Sequence, residues 1–204
     1  MIRFPGTPSK LSLLAVAGIL LAALSVQIPA QAAPDARVDS KARGAADYFT
    51  DVELVDQHGE SHRLYSDLMQ GKVVVINAMF TSCASSCPAM AARLSKMQRF
   101  LGDRLGDDVH ILSISVDPER DTPERLLTFA DSFGAKPGWY LLSGKPDNVN
   151  LALTKLGQYV DEPETHKSIM IMGNESTGLW KKAMGLAPAE ELIAVLESVL
   201  EDRE

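Results

Sequence analysis

The strongest signal along the chain is a short β-branched apolar run, Val73, Val74, Val75 and Ile76, bounded by Gly71 and by the polar pair Thr81 and Ser82. A run without alternation suits a strand buried on both faces of a sheet, so it predicts a central strand. From Cys87 onward Met90, Leu94, Met97, Leu101 and Leu105 recur at helical spacing, which predicts a helix to about Leu105. Upstream, Phe49 to Asp56 alternates apolar and polar residues before the turn Gln57-His58-Gly59-Glu60, the pattern of an edge hairpin, and Leu64 to Met69 reads as a short helix. Downstream the pattern predicts a strand over Val109–Val116 and a helix over Glu124–Phe133, with Thr122 as its cap and Pro123 at its first position. A strand over Trp139–Leu142 and a helix over Pro146–Gly157 follow. Lys167–Met172 and Leu179–Ala183 form an antiparallel pair, and Pro188–Leu200 a closing amphipathic helix. Strand–helix alternation that gives way to a terminal hairpin predicts an α/β fold with a mixed central sheet flanked by helices and an N-terminal β-hairpin extension.

The first residues break this pattern. Arg3 and Lys10 precede an apolar run of 16 residues from Leu11 to Val26, and Ala30-Gln31-Ala32 offers a small-residue cleavage site. Residues 1–32 therefore read as a secretory signal peptide, with an uncleaved membrane anchor as the alternative, although the run is shorter than the roughly 20 residues a spanning helix needs. With no cysteine near the site, lipidation is not expected. Residues 33–46 read as a linker and 47–204 as one domain. Loss of 1–32 removes Arg3 and Lys10 and no acid, leaving 18 basic residues against 27 acidic ones. Such a balance disfavours nucleic acid as a partner. An exported, periplasmic domain, anchored to the inner membrane if the signal is retained, would also hold its cysteines in an oxidising compartment.

There are two cysteines, Cys83 and Cys87, both at the predicted strand-to-helix junction. Unpaired N–H groups at a helix start favour thiolate over thiol, making a better nucleophile and a better ligand. If the helix begins at or before Cys83, the four-residue spacing sets both sulfurs on one face, within reach of each other or of a common metal ion. Buried structural thiols or a plain disulfide are the simpler alternative, but Thr81 and the surrounding serines suggest an accessible polar loop. His58 and His62 read as exposed turn and strand residues, and His110 as structural.

The segment Phe80-Thr81-Ser82-Cys83-Ala84-Ser85-Ser86-Cys87-Pro88-Ala89-Met90, then Ser115-Val116-Asp117-Pro118-Glu119-Arg120-Asp121-Thr122-Pro123-Glu124, then His166 at the head of a strand, resembles the Sco/SenC family of copper-binding proteins, in an order that runs from about 48 to 202. The resemblance implies a thioredoxin-like fold that binds one copper ion through Cys83, Cys87 and His166. It further implies a role in assembling the dinuclear copper centre of cytochrome c oxidase. The implied partners are the copper-accepting oxidase subunit, other periplasmic copper carriers and thiol reductants. Donor chemistry agrees, since two thiolates suit Cu(I) and an added imidazole admits Cu(II). The spacer Ala84-Ser85-Ser86 and Lys167 after the histidine depart from the family's usual residues, which bears on partner recognition and affinity. Asp161, Glu162 and Glu164 could attract a cation or simply be solvated, and Met79, Met90, Met170 and Met172 read as core rather than extra sulfur ligands. The principal rival is a thiol–disulfide oxidoreductase that keeps target cysteines reduced, with Cys83 as nucleophile and Cys87 as resolving thiol. Against it, Thr165-His166-Lys167-Ser168 stands where reductases of that fold carry a proline. A peroxidase using Cys83 lacks an arginine in the 77–87 segment, and a copper buffer would need only the binding site.

Overall fold

A computed structural model describes residue 45 and residues 47–203. The predicted signal peptide, and the linker apart from Ala45, lie outside the described residues. The chain order is β1 (Glu53–Val55), β2 (Ser61–Arg63), α1 (Leu64–Leu68), β3 (Val73–Met79), α2 (Ser86–Leu101), β4 (Val109–Ser115), α3 (Pro123–Phe133), β5 (Trp139–Leu142), α4 (Pro146–Leu156), β6 (Ile169–Asn174), β7 (Leu179–Met184) and α5 (Ala189–Leu200). Five strands form one sheet in the order β5-β4-β3-β6-β7. β3, β4 and β5 are parallel, whereas β6 and β7 are antiparallel to their neighbours. This is the mixed sheet that the alternation predicts.

All seven residues of β3 and all seven of β4 are buried, because each has a strand on either side and helices over its faces. The polar residues on these strands are paired rather than exposed. Trp139 Nε1 donates to Ser113 Oγ at 3.0 Å, and that hydroxyl donates to Asn77 Oδ1 at 2.7 Å. His110 is structural, as its place in the strand suggests, with Nδ1 2.9 Å from the Leu68 carbonyl.

Several boundaries differ from the pattern, each for a local reason. Residues 47–49 are helical and Thr50 has a φ of 68°, so the alternation that begins at Phe49 is not a strand until Glu53. Phe49 instead stacks on Trp180 at 4.7 Å. α2 stops at Leu101 because Gly102 takes a φ of 57°, and a 3₁₀ turn follows before Leu105. Thr122 does occupy the position before α3, but its side chain makes no cap bond to the helix. β6 begins at Ile169 rather than Lys167. At Gly173 an added Cβ would lie 2.1 Å from the Trp180 ring, so this strand position has no room for a side chain.

The N-terminal hairpin, β1 and β2, attaches beside β5 through paired backbone bonds of 2.9 Å between Val55 and Ser143. Gln57, in the turn, is buried rather than solvated. Its Nε2 donates to the Trp139 carbonyl at 3.0 Å and its Oε1 accepts from the Leu141 N–H at 2.8 Å. One side-chain amide thus satisfies backbone groups that the edge of β5 would otherwise leave open.

Candidate metal centre

The chain leaves β3 at Met79 and reaches Thr81, where a buried carboxylate from another loop holds it. Asp121, 1% exposed, accepts from the Thr81 N–H at 3.1–3.2 Å, from the Thr81 hydroxyl at 2.5 Å and from the Ser115 hydroxyl at 2.6 Å. Arg125 Nε reaches the same threonine oxygen at 3.2 Å. Ser115 Oγ also accepts the Asp117 N–H at 2.9 Å, which closes the loop that follows β4. Charge-assisted bonds of this kind are short and directional, so they fix where the cysteine loop begins.

α2 starts at Ser86, so Cys83 is in the preceding loop and Cys87 is the second residue of the helix. The sulfurs therefore do not share a helical face, as an earlier helix start would require. They approach because the loop turns back: Cys83 N–H donates to the Phe80 carbonyl at 3.2 Å, and the Cys87 N–H donates to Cys83 Sγ at 3.4 Å. Nor is the pair an accessible one. Ser82, Ala84 and Ser85 face solvent, while Cys83 is 7% and Cys87 1% exposed, both as free thiols.

Environment separates the two thiols. Burial alone would raise Cys83, but hydrogen bonds from the Cys87 side chain and N–H and from the Ser85 side chain and N–H outweigh it and bring the thiol down to about 7. Cys87 is pushed up to about 12, first by burial, then by its hydrogen bond to Cys83 and by the negative charges of Cys83 and Asp121. At neutral pH Cys83 is partly thiolate and Cys87 keeps its proton.

His166 comes from the distant turn before β6. Pro163–Thr165 forms a 3₁₀ turn closed by Thr165 Oγ1 donating to the Glu162 carbonyl at 2.7 Å. His166 Nδ1 lies 2.8 Å from the Pro163 carbonyl. A carbonyl only accepts, so the ring proton of a neutral imidazole sits on Nδ1 and the Nε2 lone pair points away from it. Nε2 is 3.5 Å from Cys87 Sγ, and the ring stands edge-on to Phe80 at 5.4 Å and 87°. The one proton of Cys87 thus lies between two acceptors, Cys83 Sγ and His166 Nε2, a position that a soft cation can take.

Cys87 is the common neighbour of Cys83 and His166. The three donor atoms do not yet lie close enough to one another to share an ion, since among the described residues the one such trio within 4.8 Å is elsewhere, at Asp56, Glu60 and His62. Ligation by all three would draw the half-exposed His166 and Cys83 toward each other around Cys87. Met79, Met90, Met170 and Met172 are buried at 2% exposure or less and belong to the core. Asp161, Glu162 and Glu164 are exposed, and with Asp117, Glu119 and Arg120 they line an open cleft of about 370 Å³. Sequence reasoning gave Asp121, Ser115 and Phe80 no part in the site. The run Asp-Pro-Glu-Arg-Asp contains the residue, but nothing in it distinguishes buried Asp121 from Glu119 and Arg120, which are exposed in the same loop.

A cysteine pair at the end of the central strand, facing a histidine across a β5-β4-β3-β6-β7 sheet, defines a thioredoxin-like protein with a potential sulfur–nitrogen metal site. The chain belongs to the SCO1/SenC family, whose model matches residues 40–201. It is 31% identical over 118 residues to the SCO1 protein homolog of Bacillus subtilis, covering 56% of this chain and 60% of that protein. Two solved structures are similar. One is BsSco, a member of the Sco family of cytochrome c oxidase assembly proteins in which a disulfide switch was identified, with a TM-score of 0.60 and 28% identity over 72% of this chain and 90% of that one. The other is Bradyrhizobium japonicum ScoI with copper bound, with a TM-score of 0.59 and 28% identity over 72% of this chain and 96% of that one.

Proposed function

We propose that this protein is an exported copper carrier that binds one copper ion through Cys83, Cys87 and His166 and delivers it to the copper-accepting subunit of cytochrome c oxidase. The observation that carries the reading is His166 Nε2, 3.5 Å from Cys87 Sγ with its tautomer fixed by the Pro163 carbonyl. A plain redox pair has no need of an imidazole held in that way. Copper binding as a relative shows it, in the Bradyrhizobium ScoI structure, supports the same cargo here. Two sulfurs suffice for Cu(I), and the imidazole adds the nitrogen donor that Cu(II) prefers. Formation of a Cys83–Cys87 disulfide would remove both sulfur donors, so only the reduced chain carries copper. The signal-like segment 1–32 supports export to the periplasm, with contact to the inner membrane if that segment is retained. Among the described residues no helix is long and apolar enough to cross a membrane.

The second reading, thiol–disulfide exchange, is favoured by the split between the two thiols. Cys83 thiolate would attack a partner disulfide and expel one partner thiolate. Cys87 would then pass its proton to the expelled partner thiolate, attack Cys83 Sγ and release the second partner sulfur, leaving this chain oxidised.

Titration of the reduced domain with Cu(I) and Cu(II) separates the readings. Wild type should bind one ion, Cys83→Ala and Cys87→Ala should lose tight Cu(I) binding, and His166→Ala should lose most Cu(II) affinity while Cu(I) weakens modestly. A wild-type domain that takes up no stoichiometric copper but reduces a model disulfide, with His166→Ala nearly silent, would establish the exchange reaction instead.

A further inference from the structure

The hairpin turn at the opposite end of the sheet gathers donors that the cysteine site does not use. Asp56 directly follows β1 and is 2% exposed. Its two oxygens have separate duties. Oδ1 accepts the backbone N–H groups of His58 at 2.8 Å and Glu60 at 3.0 Å, which builds the turn. Oδ2 makes no backbone bond and faces His62 Nε2 at 3.0 Å. The Glu60 carboxylate completes the group, and the three ligand atoms all lie within 4.8 Å of one another. A purely structural turn uses Asp56, His62 and the Glu60 N–H but makes no use of the exposed Glu60 carboxylate. Two carboxylates converge there, and among the described residues His62 is the one basic side chain paired with either.

The surroundings hold the imidazole firmly. Its ring packs edge-on against Tyr140 at 5.3 Å, and Tyr140 packs in the same way on buried His110 at 5.2 Å. Burial, and after it the charges of Asp56 and Glu60, raise the Tyr140 phenol above its ordinary value. Asp56 is held below the usual carboxylate range, because the bonds from His62, Glu60 and His58 together exceed the burial that opposes them.

We propose that Asp56, Glu60 and His62 form a second metal site, distinct from the cysteine pair, that takes a divalent first-row cation. Donors to one such ion sit about 2.0–2.2 Å from it and hence within about 4.4 Å of each other. The Asp56–His62 spacing of 3.0 Å already meets this, and the carboxylate of exposed Glu60 lies within 4.8 Å of both. Two oxygens and one nitrogen, without sulfur, favour Cu(II) and Zn(II) and disfavour Cu(I), the reverse of a dithiolate site. With three protein ligands the remaining positions are open to water, so the ion exchanges readily.

The test uses the full domain with the thiols removed, Cys83→Ser/Cys87→Ser, titrated calorimetrically with Zn(II) and with Cu(II). One ion per chain is expected. Glu60→Gln and His62→Gln in that background should each weaken binding by roughly tenfold or more, whereas His166→Ala should leave it unchanged. Glu60 is solvent-facing, so its variant keeps the fold, which thermal melting verifies. Absence of stoichiometric binding, binding indifferent to Glu60→Gln and His62→Gln, or binding lost with His166→Ala would each overturn the proposal. None of these outcomes bears on Cu(I) binding by the intact cysteine pair, so the two sites are judged separately.

Discussion

Replacing Asp121 should damage stability and the thiols together. In Asp121→Ala the Thr81 N–H and the Ser115 hydroxyl lose their acceptor inside a site with 1% exposure. A buried donor left unsatisfied costs about 1–3 kcal/mol, and charge-assisted bonds lie at the upper end, so the loss should be roughly 3–5 kcal/mol. Asp121→Asn keeps the shape and one acceptor oxygen, and the serine hydroxyl can turn to accept from the new amide, so about 1–2 kcal/mol is expected. Urea denaturation under reducing conditions measures both. The asparagine variant also isolates the electrostatics. The Asp121 charge is among the causes that raise Cys87, after burial and the Cys83 bond, so Cys87 should titrate at a lower pH once that charge is gone. An alanine variant within about 1 kcal/mol of wild type, or an asparagine variant with an unshifted Cys87, would show that the carboxylate does not organise the cysteine loop.

Alkylation of the reduced protein should be biphasic in pH. Cys83 should react with a midpoint at about 7, against an ordinary 9.0, and Cys87 should stay silent until the solution nears its own value of about 12. Because the folded-state value of Cys83 is depressed, its thiolate stabilises the fold above pH 9 and that contribution fades as pH falls through 7; a Cys83→Ser variant should lack this dependence in denaturation curves. Gly173→Ala should cost about 1–3 kcal/mol through the clash of its Cβ with Trp180, seen as a lower melting temperature with copper binding intact.

The fold was legible where a single local signal decides the structure. The unbroken β-branched run at 73–76, the helical spacing from Met90 to Leu101 and the terminal hairpin all survive in the structure, because burial on both faces or on one stripe leaves a direct trace in the pattern. Errors gathered where backbone conformation or distant contacts decide. Thr50 and Gly102 end helices through positive φ, which hydrophobic periodicity does not encode. Gln57 reads as a solvated turn residue because its partners, Trp139 and Leu141, are more than eighty residues away. The site divides in the same way: Cys83, Cys87 and His166 carry recognisable chemistry, whereas Asp121 acts through a hydrogen-bond pattern that exists only after β3 and β4 have paired.

The amide of Gln57 has a consequence for life at high concentration. With its two bonds occupying the flank of β5, another molecule's strand finds no free register there to extend the sheet. That leaves β7 as the outermost strand, and it presents Lys181 and Lys182, whose charges would have to stack against those of an incoming copy. Crowding should therefore drive this chain toward side-chain contacts rather than toward continuous cross-molecule sheets. A Gln57→Ala chain, even where it folds, should be the variant that first forms fibrous aggregates.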